Sequence, residues 1–178
     1  NTGTDPYSFD SNLENGLIVN YPFNGNTSDQ SGNVNNATLI DGSFTTDRFG
    51  NENAALRMDL YQGTARSEKN IPISGNSDRT ISFWCKSSNP SDGTNPSYGQ
   101  PRVGWGNNSR NGGSFYFSEN ISSGISFWGH YADSDYPKSG VPYDQWRHLV
   151  FVYKTSLDDD LCYVDGNLIQ RIRLGSLN

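Results

Sequence analysis

The chain has 178 residues, a length typical of one domain or two small ones, with 13 basic and 19 acidic side chains and a formal net charge of −6. No cluster of Lys and Arg offers the basic surface that a nucleic-acid backbone requires, and no apolar run reaches the roughly 20 residues of a membrane span. Both classes are therefore excluded. Because the sequence contains 19 Gly, 8 Pro and 13% aromatic residues, it predicts a turn-rich β-protein with an aromatic core.

The domain is expected to span residues 13–178, after a polar and aperiodic stretch at 1–12 that is typical of a flexible N-terminal lead. Within it, short runs rich in β-branched and aromatic residues predict strands. In chain order they are 17–23, 37–39, 54–58, 70–73, 79–86, 114–118, 124–131, 147–153, 161–164 and 168–173.

The patterns inside these runs predict how the strands are arranged. Pro22 restricts the first run to a sheet edge or a bulge. The run 79–86 alternates, which places Phe83 on the core side and Trp84 on the other. No segment shows the 3.6-residue period of a helix. The prediction is therefore an all-β fold, with two antiparallel sheets packed as a sandwich.

The connections are of two kinds. Asp165 and Gly166 form the dipeptide that favours a two-residue hairpin turn. The stretches 87–113 and 133–144 are long and rich in Ser, Asn, Pro and Gly, and connections of that length are usually functional or mobile. The two cysteines, Cys85 and Cys162, lie in different predicted strands. They are either buried thiols or a disulfide, which would require Cα atoms within about 7 Å.

Six short motifs follow one another along the chain. They are Gly16–Gly25, Asp29–Asn33, Asp47–Asn51, Ile81–Trp84, Gln145–Val150 and Tyr163–Gly166. In this order they resemble the signature of bacterial laminin-G-like domains, which belong to the concanavalin A-like lectin/glucanase superfamily. The resemblance runs from about residue 16 to 169. It implies a two-sheet jelly roll that is secreted or displayed at the cell surface, and it makes Trp84 and Trp146 scaffold residues.

Members of that family usually continue past the Tyr163–Gly166 hairpin through two further strands, the last of which returns beside the opening strand. This sequence ends at Asn178 without them. Either the sequence is a truncated fragment, or another segment or subunit supplies the closing strand along an unpaired edge at 17–23. The second possibility defines an alternative function, a structural or assembly subunit completed by strand exchange.

Enzymatic activity is not expected. Retaining glycosidases need two carboxylates about 5 Å apart, which the glucanases of the superfamily place on one strand. The four glutamates are Glu14, Glu52, Glu68 and Glu119, and no two of them share a predicted strand. The two histidines, His130 and His148, also lie in different strands and lack the spacing of zinc ligands.

A structural calcium site is one interpretation of the Gly- and Asn-rich loop after the first predicted strand. Its candidate ligands are Asp29, Ser31, Asn33 and Asn36, which combine one carboxylate with hydroxyl and amide oxygens. The alternative is an Asx-type turn in which Asp29 only accepts hydrogen bonds from backbone N–H groups. The sequence leaves both open.

Sugar recognition uses flat aromatic faces and nearby polar groups. The middle of the chain supplies a candidate set: Trp105, Tyr116, Trp128, His130, Tyr131 and Tyr136. Strand alternation puts Trp128 and His130 on one side and Phe127 on the other, so the tryptophan side is either the open face or the core face. The leading hypothesis is an extracellular, adhesion-type module whose partner is a glycan or a glycoprotein.

Overall fold

The computed structural model describes residues 14–58, 63–73, 77–86, 100–106, 114–120, 124–128, 134–135, 144–157 and 159–173. The predicted lead at 1–12 lies outside these ranges. The chain divides into two compact units, Asn1–Pro72 and Ile73–Asn178. They are called unit 1 and unit 2 below.

The described part of the chain is all-β and antiparallel, as predicted. Its strands are β1 (Ala37–Ile40), β2 (Gly42–Thr45), β3 (Ala55–Met58), β4 (Thr64–Ser67), β5 (Arg79–Cys85), β6 (Gln100–Gly106), β7 (Ser114–Asn120), β8 (Gly124–Trp128), β9 (Ser134–Asp135), β10 (Arg147–Lys154), β11 (Asp159–Val164) and β12 (Asn167–Arg173). A 3₁₀ turn at Thr155–Leu157 is the only helical element within the described ranges, so none of them contains a helix that could cross a membrane.

Unit 1 holds two small sheets, in which β1 pairs with β4 and β2 pairs with β3. The predicted edge strand at 17–23 is not a strand, and neither is 70–73. The segment 17–23 does not form a strand because the carbonyl groups of Leu17 and Ile18 accept hydrogen bonds from side chains rather than from a neighbouring strand. Completion of the sheet by another segment or subunit at 17–23 stays a prediction.

Unit 2 contains two four-stranded sheets, in the orders β12-β11-β10-β5 and β6-β7-β8-β9. The buried core consists of Leu149, Phe151, Tyr153, Cys162 and Val164, all from β10 and β11. Val103 and Trp105 from the second sheet pack against these residues. Because both sheets contribute to one apolar layer, unit 2 is a β-sandwich.

The alternation predicted for β5 is confirmed. Phe83 stacks on Phe151 in the core, with ring centroids 6.2 Å apart and an interplanar angle of 27°. Trp84, on the opposite side of the strand, is exposed. The hairpin is confirmed as well, since Asp165 and Gly166 have φ angles of 49° and 79° between β11 and β12.

The two cysteines do not form a disulfide. They lie in β5 and β11, which the intervening strand β10 separates in the sheet. Burial of Cys162, and secondarily the nearby Asp160, raises the pKa of its thiol. Cys162 is therefore a neutral space-filling side chain of the core.

The sequence missed four strands, β2, β4, β6 and β9, and two of these fall inside stretches predicted as loops. β6 lies within 87–113 and β9 within 133–144. β6 carries Pro101, Gly104 and Gly106, which weaken a strand signal read from sequence alone. It forms because residues of β7, such as Phe117 opposite Val103, complete its ladder.

Candidate functional site

Unit 1 contains an open cleft of ≈ 650 Å³. The exposed polar, charged and aromatic side chains that line it are those of Asn24, Arg48, Phe49, Asn51, Glu52 and Asn53. One aromatic ring is thus surrounded by planar amide, guanidinium and carboxylate groups. We call this concavity the Phe49 cleft.

A hydrogen-bonded turn presents Phe49 to solvent. The Gly50 N–H donates to the Asp47 carbonyl oxygen at 3.3 Å, and Gly50 has a φ of 90°, which glycine adopts without strain. The Asp47 carboxylate accepts the N–H groups of Phe49 and Asn51 at 2.8 and 2.9 Å. These bonds fix the backbone on both sides of the ring, so Phe49 is held in place without being buried.

The Phe49 ring exposes 71% of its surface, an unusual state for a large apolar side chain. The guanidinium carbon of Arg48 lies 4.1 Å from the ring centroid, within the range of a cation–π contact. The aromatic surface is therefore restrained as well as open. A ring of this kind can stack on the C–H face of a sugar, while the neighbouring amides bond its hydroxyl groups.

The Asp47 carboxylate beside the cleft is poorly suited to donate a proton. Partial desolvation acts to raise the pKa of Asp47, but hydrogen bonds from Asn51 and Phe49 outweigh it and lower the pKa below its ordinary value. An ionised, hydrogen-bonded carboxylate cannot be the proton donor that a glycosidase requires. Of the four glutamates, only Glu119 lies in a strand.

The predicted calcium loop is built around Asp29. Its Oδ1 accepts the backbone N–H groups of Asn20 and Ser31, each at 2.9 Å, and its Oδ2 accepts that of Asn35 at 2.9 Å. The Ser31 hydroxyl also donates to Oδ2, at 2.8 Å. Asp29 thus ties together three separate positions of the loop.

The other predicted ligands are engaged in the same network. Asn33 donates its Nδ2 group to the carbonyl oxygens of Leu17 and Ile18, and Asn36 accepts the Asp29 N–H through Oδ1. The Asp29 carboxylate and the Asn36 Oδ1 thus accept hydrogen bonds from the loop itself, which is the pattern of an Asx-type turn. No group of three or more His, Cys, Asp and Glu within the described ranges is placed to hold a metal ion. Calcium binding stays a prediction.

We expect Asp29→Asn to destabilise unit 1. Desolvation acts to raise the pKa of Asp29, but the bonds from Asn20, Ser31 and Asn35 lower it to about 2. This lowering of the pKa corresponds to roughly 2.5 kcal/mol in the free energy of unfolding. Solvent screening of a partly exposed carboxylate reduces the contribution to about 1 kcal/mol. Because the folded pKa lies below the unfolded value, this stability is present above about pH 4 and is lost as the pH falls through 2.

Urea denaturation at pH 7 and at pH 2 measures this effect. The difference in free energy of unfolding between the wild type and Asp29→Asn should shrink at the lower pH, and Glu14→Gln, at an exposed position of the same unit, should show no such difference. An equal loss at both pH values would contradict the argument. Repeating the pH 7 measurement with calcium chloride tests the metal, because a bound ion would raise the stability of the wild type alone.

Three of the aromatic residues that the sequence grouped together lie in described strands: Trp105 in β6, Tyr116 in β7 and Trp128 in β8. Trp105 packs against the core of unit 2. Tyr116 pairs with Trp128 on the adjacent strand and with Gly104 on the other side, whereas Trp105 pairs with Phe115. The grouping of these residues in one sugar-binding face stays a prediction. His130, Tyr131 and Tyr136 lie outside the described residues.

Sequence reasoning did not single out Phe49 as a candidate residue. The signal was present in Asp47–Asn51, where turn-forming residues flank an aromatic side chain. Such flanks predict an exposed ring, since a tight turn has too few neighbours to bury it. The motif was interpreted only as part of the family signature.

Comparison with known proteins identifies the class of this fold. A laminin-G family model, described as the concanavalin A-like lectin/glucanases superfamily, matches residues 61–177. The chain belongs to this superfamily, as the sequence motifs implied. No protein with curated function matches it.

Among solved structures, the chain is similar to domain 4 of AbnA, a GH43 extracellular arabinanase from Geobacillus stearothermophilus, in complex with arabinotriose. The TM-score is 0.54 at 20% sequence identity, and the match covers 90% of this chain and 75% of that one. At this identity the likeness shows a shared fold.

Proposed function

We propose that this chain is a non-catalytic, extracellular module that binds carbohydrate in the Phe49 cleft. The observation that carries the proposal is the ring of Phe49, exposed over 71% of its surface and fixed by the Asp47 turn. Burying that ring against a sugar removes apolar surface from water at little cost in conformational entropy, because the turn is already ordered.

The charge of the cleft narrows the ligand to neutral glycans. Asp47 and Glu52 outnumber Arg48 among its ionisable side chains, and the whole chain carries −6. A polyanionic sugar would be repelled by this excess of carboxylates. The amides of Asn24, Asn51 and Asn53 supply donors and acceptors suited to neutral hydroxyl groups.

The structural neighbour supports the class of ligand and the extracellular location. That neighbour is a domain of an extracellular arabinanase in complex with arabinotriose. A module of this chain's type would hold a polysaccharide at a surface or beside a catalytic domain. The hydrogen-bonded state of Asp47 supports a binding role over hydrolysis. The assembly alternative has weaker support, since the edge expected at 17–23 is not a strand.

Two measurements test the proposal. An array of neutral and acidic glycans, probed with the purified chain, should show retention on neutral glycans only. Titration of the ¹⁵N-labelled chain with arabinotriose, xylotriose, cellotriose or maltotriose should then shift the backbone amide signals of residues 47–53. The absence of retention on every neutral glycan would overturn the binding function, whereas retention with unchanged signals at 47–53 would overturn its placement in the cleft. Size measurement in solution checks the assembly alternative.

A further inference from the structure

The outer face of the first sheet of unit 2 carries a second arrangement of aromatic and polar groups. Trp84 of β5 and His148 of β10 are directly opposed in the register, with their side chains on the face away from the core. Trp84 exposes 43% of its surface. The family resemblance implied that Trp84 is a scaffold residue, but a tryptophan exposed to this extent contributes little packing to the core.

The two rings are held in a fixed geometry. Their centroids lie 5.1 Å apart with an interplanar angle of 21°, an offset stack. The His148 Nε2 atom and the Ser82 hydroxyl form a hydrogen bond of 2.8 Å, which orients the imidazole and through it the indole. The indole is thus pre-organised at the surface rather than free to rotate.

The backbone beneath the imidazole is also fixed. The His148 N–H donates to Oδ1 of Asp165 at 2.9 Å, and Oδ2 of the same carboxylate forms an ion pair of 2.7 Å with Arg147. This ion pair offsets the charge of the Asp165 carboxylate. We call the set of Ser82, Trp84, His148 and Asp165 the Trp84 patch. Its centre is aromatic, with an uncharged hydroxyl group and an imidazole beside it.

We infer that the Trp84 patch is a second site for neutral carbohydrate, separate from the Phe49 cleft. The indole offers a flat face for sugar C–H groups, and Ser82 and His148 offer hydroxyl and imidazole partners for sugar hydroxyls. A folded protein partner would instead need about 800 Å² of complementary surface with an apolar centre, whereas aromatic and polar groups alternate here. The inference rests on the proposed carbohydrate-binding function but not on the cleft.

A sugar that stacks on the indole loses this contact when the ring is removed. We therefore expect Trp84→Ala to reduce retention on a neutral polysaccharide by about tenfold, while Trp84→Tyr, which keeps an aromatic face, restores most of it. Leu168→Ala, an exposed apolar position in the same sheet, is the matched control and should leave retention unchanged.

The site is located by the indole N–H signals of the four tryptophans, with Trp84 assigned from the spectrum of Trp84→Tyr. Arabinotriose, xylotriose, cellotriose and maltotriose are titrated into the wild type and into Phe49→Ala. A shift of the Trp84 signal that persists in Phe49→Ala supports the second site. Shifts confined to the amides of 47–53 overturn the second site and leave the proposed function standing. No binding to any of these sugars or to their polymers overturns both.

Discussion

Replacing Phe49 with alanine should lower the affinity of the chain for a neutral glycan by at least tenfold, without changing its stability. A sugar that covers one face of a phenylalanine ring removes about 100 Å² of apolar surface from water, which is worth roughly 2.5 kcal/mol. Part of this gain is offset by the ordering of the sugar, so a tenfold loss, about 1.4 kcal/mol, is the lower bound. Because Phe49 is largely exposed, truncation should change the free energy of unfolding by less than about 0.5 kcal/mol.

Isothermal titration calorimetry with the trisaccharide that binds the wild type measures this loss. Phe49→Trp should retain the affinity because it keeps a flat aromatic face, and Ile40→Ala serves as the matched control. Ile40 is also an exposed apolar residue of unit 1, with 43% of its surface accessible, but it does not line the cleft. Equal affinities for Phe49→Ala and Ile40→Ala would show that the ring does not contact sugar.

Replacing Phe151 with alanine should destabilise unit 2 by about 3 to 5 kcal/mol. The side chain is 1% exposed in the centre of β10, where it stacks on Phe83 and opposes Cys162 in the register. Truncation removes apolar contacts from both neighbouring strands and leaves a cavity that rigid β-strands close only in part.

Urea denaturation followed by tryptophan fluorescence measures the free energy of unfolding. Phe151→Leu keeps most of the volume and should lose much less, which preserves the comparison if Phe151→Ala does not fold. Leu168→Ala, at a position that is 52% exposed, should stay within about 0.5 kcal/mol of the wild type. A loss below 1 kcal/mol for Phe151→Ala would contradict the placement of the core.

The strands that the sequence predicted correctly are those with a strong local pattern. β5 alternates between core and solvent over its length, and β10 carries the apolar positions that fill the core. The hairpin at Asp165 was predictable because its φ angle is a property of the dipeptide itself. These features depend on residues close together in the chain.

The errors arose where distant residues decide the structure. The run at 17–23 has strand composition, but the Asn33 and Asn35 amides bond its carbonyl groups and leave no ladder. β6 has a poor strand composition and forms because β7 pairs with it. The Asp29 loop was recognised, yet composition alone could not tell a cation site from a hydrogen-bonded turn, since both use the same oxygen atoms.

By itself the sequence determined the all-β class, the alternation of β5, the hairpin and the superfamily. These follow from local conformational preferences and from the order of short motifs. Only the tertiary structure decided which aromatic residues are open to a ligand. Trp105 packs against the core of unit 2, whereas Trp84, on the outer side of its strand, is exposed, and this difference depends on what the facing sheet covers.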